Sequence, residues 1–258
     1  MNRTLEQATG RRLAKRDHLS FFDHLLAIRP ALTTQSGIGS PGTFERFAIE
    51  NFQRSSAQFL QDLWVLHELG EKRDGFFVEF GAMDGRQDSN SLLLETDYGW
   101  RGILAEPNEQ WRDLIKARRP NASVDTRCVW VETGKEIEFM STIARGLSTV
   151  ARYALTDKHA VDRVEEKRYS VPTVSLADLL DEHDAPPVID FLSIDTEGSE
   201  FDILSAYGFP GNRLIRCIAV EHNQSPARQQ IYDLLVSKGY RQRFPEASFD
   251  DDWFLHTG

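Results

Sequence analysis

Hydrophobic positions along this chain keep changing their spacing. Phe59, Leu60, Leu63, Val65 and Leu66 recur at helical intervals up to Gly70, after which "GFFVEF" runs apolar as a buried strand would. The exchange then repeats. "SNSLLLETDYG" predicts a helix, "RGILAE" a strand, "NEQWRDLIKARR" a helix and "ASVDTRCVWV" a third strand. Further on, "SLADLLDEH", "SEFDILSAYG" and "SPARQQIYDLLVSKG" predict helices, interleaved with the strands "VIDFLSID", "LIRCIAVEHN" and a closing "ASFDDDWFLHTG". Short apolar strands alternating with amphipathic helices require a parallel sheet covered on both faces. The fold class expected is therefore α/β, a doubly wound, Rossmann-like sheet. The stretch "TGKEIEFMSTIARGLSTVARYALTDKHAVDRVEEKRYSVPTV" breaks the alternation and predicts an insertion of a strand, a loop, a charged helix and another strand. Such an insertion would form one wall of an acceptor pocket.

Ahead of this pattern, Leu5, Ala8, Leu13, Phe21, Leu25 and Leu26 recur at loosely helical spacing, and "TTQSGIGSPG" over 33–42 reads as a linker. Residues 1–50 are expected to be a helical extension that packs on the main domain or on a second copy as a homodimer, and residues 51–258 the main domain. The N-terminus has no continuous apolar core and no small-residue cleavage site, so it does not read as a secretory signal. No apolar run approaches the ~20 residues of a membrane span. Cys128 and Cys217 lie in strand-like runs and read as buried, reduced thiols, which favours the cytoplasm. A formal net charge of −10 argues against a nucleic-acid partner, since phosphate binding needs clustered Lys and Arg.

In doubly wound sheets ligands bind beyond the carboxyl ends of strands. The first such place, "FFVEFGAMDGRQDSNS", carries Glu79 on the strand, Gly81 at its end, and Asp84 and Gly85 in the turn. The bare Gly81 is expected to leave room for a ligand against the backbone. The glycine spacing does not match the G-x-G-x-x-G of a dinucleotide site. The flanking acids disfavour a pyrophosphate and suit a ligand with an ammonium and a sulfonium, as in S-adenosylmethionine. Glu106 ends the next strand 21 residues beyond Gly85, at the distance where a carboxylate takes ribose hydroxyls, and Pro107 and Asn108 turn the chain into the following helix.

With "FVEFGAMDG", "SNSLLLETDYGWRGILAEPN", "VPTVSLADLL" and "DFLSIDTEGSEFDILSAYGF", the chain resembles the FkbM family of S-adenosylmethionine-dependent methyltransferases over roughly residues 55–256. The resemblance implies a seven-stranded sheet with an antiparallel last strand, and methyl transfer to a hydroxyl of a small molecule or sugar. It further implies that Glu79, Gly81, Asp84 and Gly85 form the turn at the methionine end and that Asn90 opens the next helix near the ligand. By the same resemblance, Glu106 holds the ribose, and Cys128 and Val129, ending the third strand, flank the adenine. Gln58 and Gln61 fall in the segment preceding the first strand and become candidates near the methionine tail.

"IDTEGSEFD" places four acids where a strand hands over to a helix. Asp195 at the strand end would take the cofactor's ammonium or orient the acceptor, and Glu197 in the turn would bond the acceptor hydroxyl. Glu200 and Asp202 fall in the first helical turn, where the helix dipole favours negative charge, with Ser199 as N-cap. After the next strand come Glu221, His222 and Asn223, and His222 is the expected general base. A magnesium-assisted variant, with Asp195 and Glu221 on adjacent strand ends beside His222 or Asn223, is a second and less favoured reading. A non-catalytic cofactor-binding partner of another enzyme is a third. Dehydrogenase, serine hydrolase and zinc protease readings lack their motifs.

Overall fold

The computed structural model describes residues 41–143, 146–156, 158–209, 213–245 and 249–258. The helices expected before residue 33, and any dimer contact through them, lie outside the described residues. Helix α1 (Pro41–Asn51) crosses the expected boundary at residue 50. Its buried Phe44 stacks on Phe244 at 5.0 Å and meets Trp253 edge-on at 5.7 Å, so the domain core begins upstream of that boundary. After α2 (Gln61–Glu68), the main sheet collects β1 (Phe76–Phe80), β2 (Arg101–Ala105) and β3 (Ser123–Asp125), with α3 (Leu92–Tyr98) and α4 (Arg112–Arg118) between them.

The chain then leaves this sheet. Strands β4 (Cys128–Trp130), β5 (Glu136–Thr142), β6 (Thr149–Val150) and β7 (Glu165–Ser175) form a second, four-stranded sheet in the order β4-β7-β5-β6. The predicted strand "ASVDTRCVWV" is thus two strands in two sheets, broken at Arg127, whose side chain pairs back onto Asp125. The charged helix expected in the insertion is not present among the described residues. Its charges lie on the exposed half of β7, where Arg168 pairs with Glu138 on the neighbouring strand and with Glu165.

From α5 (Leu176–Glu182) the alternation resumes with β8 (Val188–Ile194), α6 (Glu200–Tyr207), β9 (Leu214–Glu221), α7 (Ala227–Ser237), β10 (Tyr240–Arg243) and β11 (Asp251–His256). The seven-stranded order is β10-β11-β9-β8-β1-β2-β3, with β11 antiparallel to both neighbours and the other pairings parallel. Strand β10, "YRQR", is short and mostly polar and sits at an edge, so it carries no apolar signal. Side chains alternate between two cores as strand geometry demands. Phe77, Phe191, Cys217 and Ala219 point to one face under Trp64, while Val78, Leu192, Ile218 and Val220 point to the other with Leu179, Leu204 and Leu235. Strand β1 lies between β2 and β8, so the carboxyl ends of all three open on one edge.

Candidate active site

At that edge the chain departs from ordinary backbone. Gly81 has φ +73, and a Cβ on it would stand 2.0 Å from the carbonyl oxygen of Asp195. Its bareness thus lets the ends of β1 and β8 touch, a close backbone approach in addition to the room for a ligand expected from the sequence. The turn that follows is fixed from inside. Buried Glu79 accepts hydrogen bonds from the Asn90 N–H at 2.8 Å and from the hydroxyls of Ser89 and Ser91. Arg119, buried on α4's C-terminal side, donates to Ser89 Oγ at 3.0 Å, Ser91 Oγ at 2.9 Å and the Gly85 carbonyl at 3.1 Å, while pairing with Glu95 at 2.5 Å. Asp84 accepts from the N–H groups of Arg86 and Gln87 and pairs with Arg118, which together outweigh its burial and hold its carboxyl below the usual range. These acids build the loop and leave the ligand-facing surface to backbone.

A cleft enclosing about 620 Å³, its open mouth included, lies against this edge. Of the residues singled out in the sequence, Gly81, Glu106, Pro107, Cys128, Val129, Asp195 and Glu197 line it. Glu106, at the end of β2, is buried, and its two oxygens accept from Met83 N–H at 2.9 Å and Asn108 N–H at 2.8 Å. Desolvation dominates those two bonds and pushes its pKa up to about 7. A carboxylate has acceptor capacity for about four donors, so capacity for further donors remains. Cys128 and Val129 reach the cleft from the start of β4, not from the end of the third strand, and burial pushes the Cys128 thiol up to about 12.

Other candidates lie away from the cleft. Gln61 donates to Asp251 at 2.6 Å and accepts from the Phe59 N–H; Gln58 is half-buried just ahead of α2. Asn90 donates to Ser193 Oγ at 2.8 Å. Asn108 contributes its backbone to Glu106 and its side chain to Ser148 at 3.2 Å. His222 is buried with its Nδ1 accepting from the Gln224 N–H at 3.1 Å and its Nε2 3.5 Å from Asp252. This ring serves the β9–β11 junction, and its place outside the cleft lining does not favour the general-base role.

The acids of "IDTEGSEFD" divide as follows. Asp195 is half-buried on the cleft floor; loss of solvent, then the charges of Glu197 and Asp251, push its carboxyl well above the usual range. Glu221, at the end of the adjacent β9, is pushed up for the same reasons, with Asp195 its strongest charged neighbour. Glu197 has φ +59 and is ion-paired with Arg163 at 2.5 Å, an Arg that the insertion also anchors on the Leu147 and Ala154 carbonyls. Asn223 adds a 3.2 Å bond to the same Glu197 oxygen. Glu200 reaches back to accept from the Thr196 and Gly198 N–H groups at 2.9 and 3.0 Å and so fixes the turn before the helix; Ser199 holds the N-cap position, but its hydroxyl goes to Thr196 and makes no capping bond. Asp202 pairs with Arg152 and Tyr153. Arg163 and Arg119 were not visible from sequence, because each works at a distance in the chain that no local pattern encodes. Trp111, Phe139 and Val150, which also line the cleft, read in the sequence only as ordinary apolar residues.

A seven-stranded sheet with one reversed strand, a cleft-lining acid just past β2 and a glycine joining β1 to β8 fit the class of Rossmann-like, S-adenosylmethionine-dependent methyltransferases. The methyltransferase FkbM domain matches residues 79–242, more than half of the chain, and the chain belongs to that family. Solved structures it is similar to include a precorrin-6y C5,15-methyltransferase from Geobacter metallireducens GS-15, at 13% identity and a TM-score of 0.41 over 75% of this chain and 85% of that one. Another is an O-methyltransferase from Bacillus cereus in complex with SAH, at 13% identity and a TM-score of 0.39 over 97% and 96%. A TehB-like SAM-dependent methyltransferase from Corynebacterium glutamicum ATCC 13032 matches at 8% identity and a TM-score of 0.40 over 84% and 100%. No curated protein matches the chain by sequence. No described helix is long and apolar enough to cross a membrane.

Proposed function

We propose that the enzyme methylates a hydroxyl oxygen of a small molecule or sugar. The observation that carries this is the acidic end of the cleft: Asp195 and Glu197 line it, Glu221 lies close by, and no histidine or lysine lines it among the described residues. An alcohol must lose its proton as its oxygen is alkylated, and a carboxylate within reach is the group that can accept it. Bound in the cleft, S-adenosylmethionine supplies an electrophilic methyl group and leaves as S-adenosylhomocysteine.

The chain's part is to hold both reactants in line. Glu106 takes the ribose hydroxyls, and the apolar walls of Cys128, Val129 and Trp111 suit a purine. Asp195 orients the acceptor hydroxyl and takes its proton, with Glu221 sharing the charge behind it. The insertion closes the acceptor side through Phe139 and Val150. The test is to incubate the full chain with methyl-labelled S-adenosylmethionine and a panel of free sugars, glycans and hydroxylated metabolites, and to locate the label by mass spectrometry. Label on a hydroxyl oxygen is expected. Label on nitrogen or carbon would refute the O-transfer reading, and adenosylhomocysteine binding without turnover on any acceptor would favour a non-catalytic partner.

A further inference from the structure

Three acids converge at the cleft, Asp195 and Glu197 from the turn after β8 and Glu221 from the end of β9. One carboxylate oxygen from each of Asp195, Glu197 and Glu221 lies within 4.8 Å of the others. Oxygens on opposite sides of a cation held at about 2.4 Å stand about 4.8 Å apart, so the set falls inside the span of a single ion. The surrounding acids have other partners: Glu200 takes backbone N–H groups and Asp251 takes Gln61. Arg163 offsets the charge of Glu197 alone.

Two further oxygens point to a ligand. Glu221 is 7% exposed, and its Oε2 has no hydrogen-bond partner among the described residues. Asn223, 4% exposed, sits on the same set through its Nδ2 bond to Glu197, and its Oδ1 likewise has no partner among the described residues. A buried carboxylate oxygen without a donor is costly, and the Asp195 and Glu221 carboxyls, hydrogen-bonded to each other, can stand together without a cation only by sharing a proton. A dication would replace that proton and satisfy the orphaned oxygen.

We propose that Asp195, Glu197 and Glu221 bind one hard divalent cation, of the magnesium, manganese or calcium class. All-oxygen ligation selects those ions over zinc or copper. Asp195 also faces the cleft, so the ion would sit where an acceptor hydroxyl can reach it and have its pKa lowered. This role in turnover rests on the methyl-transfer reading; the binding itself does not.

The test uses the full chain stripped with chelator and titrated with Mn²⁺, free Mn²⁺ being read by its paramagnetic resonance signal. One Mn²⁺ per chain is expected, with a dissociation constant on the order of 10⁻⁴ M. Asp195→Asn and Glu221→Gln should each weaken binding by about tenfold or more, with circular dichroism confirming the fold. No saturable binding up to millimolar Mn²⁺, or unchanged binding in both variants, would overturn the proposal. Terbium luminescence on the wild-type chain gives a reading that needs no variant: a signal displaced by Mg²⁺ is expected, and none would count equally against the site. Adenosylhomocysteine titration of the chelated chain separates the two claims, since saturable Mn²⁺ binding upholds the ion site even where failure to bind adenosylhomocysteine strikes the methyltransferase site.

Discussion

Replacing Glu106 by glutamine should remove a pH dependence from cofactor binding. In the free chain the Glu106 pKa is about 7, raised from 4.5 by burial against two N–H bonds. Ribose hydroxyls donate to the carboxylate, so the ligand selects the charged form and competes with a proton. At pH 8 about nine-tenths of the chains are ready to bind and at pH 6 about one-tenth, so affinity for adenosylhomocysteine should fall about tenfold between them, or about 1.4 kcal/mol. Losing the charge-assisted bonds should cost the variant about 1.5–3 kcal/mol of affinity at pH 8, and the gap to wild type should narrow at pH 6.

Folding adds a second readout with its own sign. A carboxyl whose folded pKa is raised favours the folded state when protonated, so that contribution is fully present below pH 4.5 and lost as pH rises through 7, by about 3 kcal/mol in total. Glutamine carries no such charge, but its NH₂ must face either the Met83 or the Asn108 N–H, at about 1–3 kcal/mol. The variant should therefore be less stable than wild type at pH 5 and should equal or pass it at pH 8. Calorimetric titration and urea unfolding between pH 5 and 8.5 measure both. Wild-type affinity that is flat with pH, or a variant that keeps the wild-type slope, would refute the ribose role of Glu106.

Arg163→Gln would leave Glu197 buried beside other acids without its guanidinium, and should cost about 3–5 kcal/mol in urea at pH 7.5; an exposed-pair value below about 1 kcal/mol would contradict the burial argument. Gly81→Ala adds a Cβ 2.0 Å from the Asp195 carbonyl at φ +73, so loss of more than about 3 kcal/mol, or failure to fold, is expected by circular dichroism and urea, whereas a stable variant that only lost cofactor would contradict the strand-contact argument. His222→Asn should keep turnover well above the ~10²-fold loss that removal of a general base brings, with the pH–rate profile unmoved; a loss of that size with the fold intact would return the base to His222.

The alternation of "GFFVEF", "RGILAE", "VIDFLSID" and "LIRCIAVEHN" with helices made the central sheet legible, because buried parallel strands have to be apolar on both faces. Strand ends were legible for the same reason, and Glu106 and Asp195 stand on the cleft where strand ends predict. Roles were harder to read. Glu79 and Asp84 look like ligand acids in sequence, yet Ser89, Ser91 and Arg118 occupy them, and a local pattern does not show which carboxylate is already taken. The break between β3 and β4 failed for another reason: Val124 before Arg127 and Cys128, Val129 and Trp130 after it fit one long strand equally well, and only pairing with β7 separates them.

That second sheet is coupled to the chemistry through the turn after β8. Thr149 donates to the Glu197 carbonyl at 2.8 Å, Arg163 holds the Glu197 carboxylate, and Arg152 and Tyr153 engage Asp202 one helical turn on. Gly198 completes the fit: at φ +124 a Cβ there would stand 2.8 Å from that of Tyr153, so the turn is glycine where the insertion lies against it. Glu197, in turn, occupies a left-handed conformation that costs a non-glycine residue about 1–3 kcal/mol, and its bonds to Thr149 and Arg163 offset that cost. The insertion therefore fixes the backbone that carries Asp195 and Glu197 while lining the same cleft with Phe139 and Val150. A change in the insertion that widens the cleft beside Phe139 and Val150 would also loosen the turn that carries Asp195 and Glu197, so cleft shape and carboxylate geometry cannot vary independently in this chain.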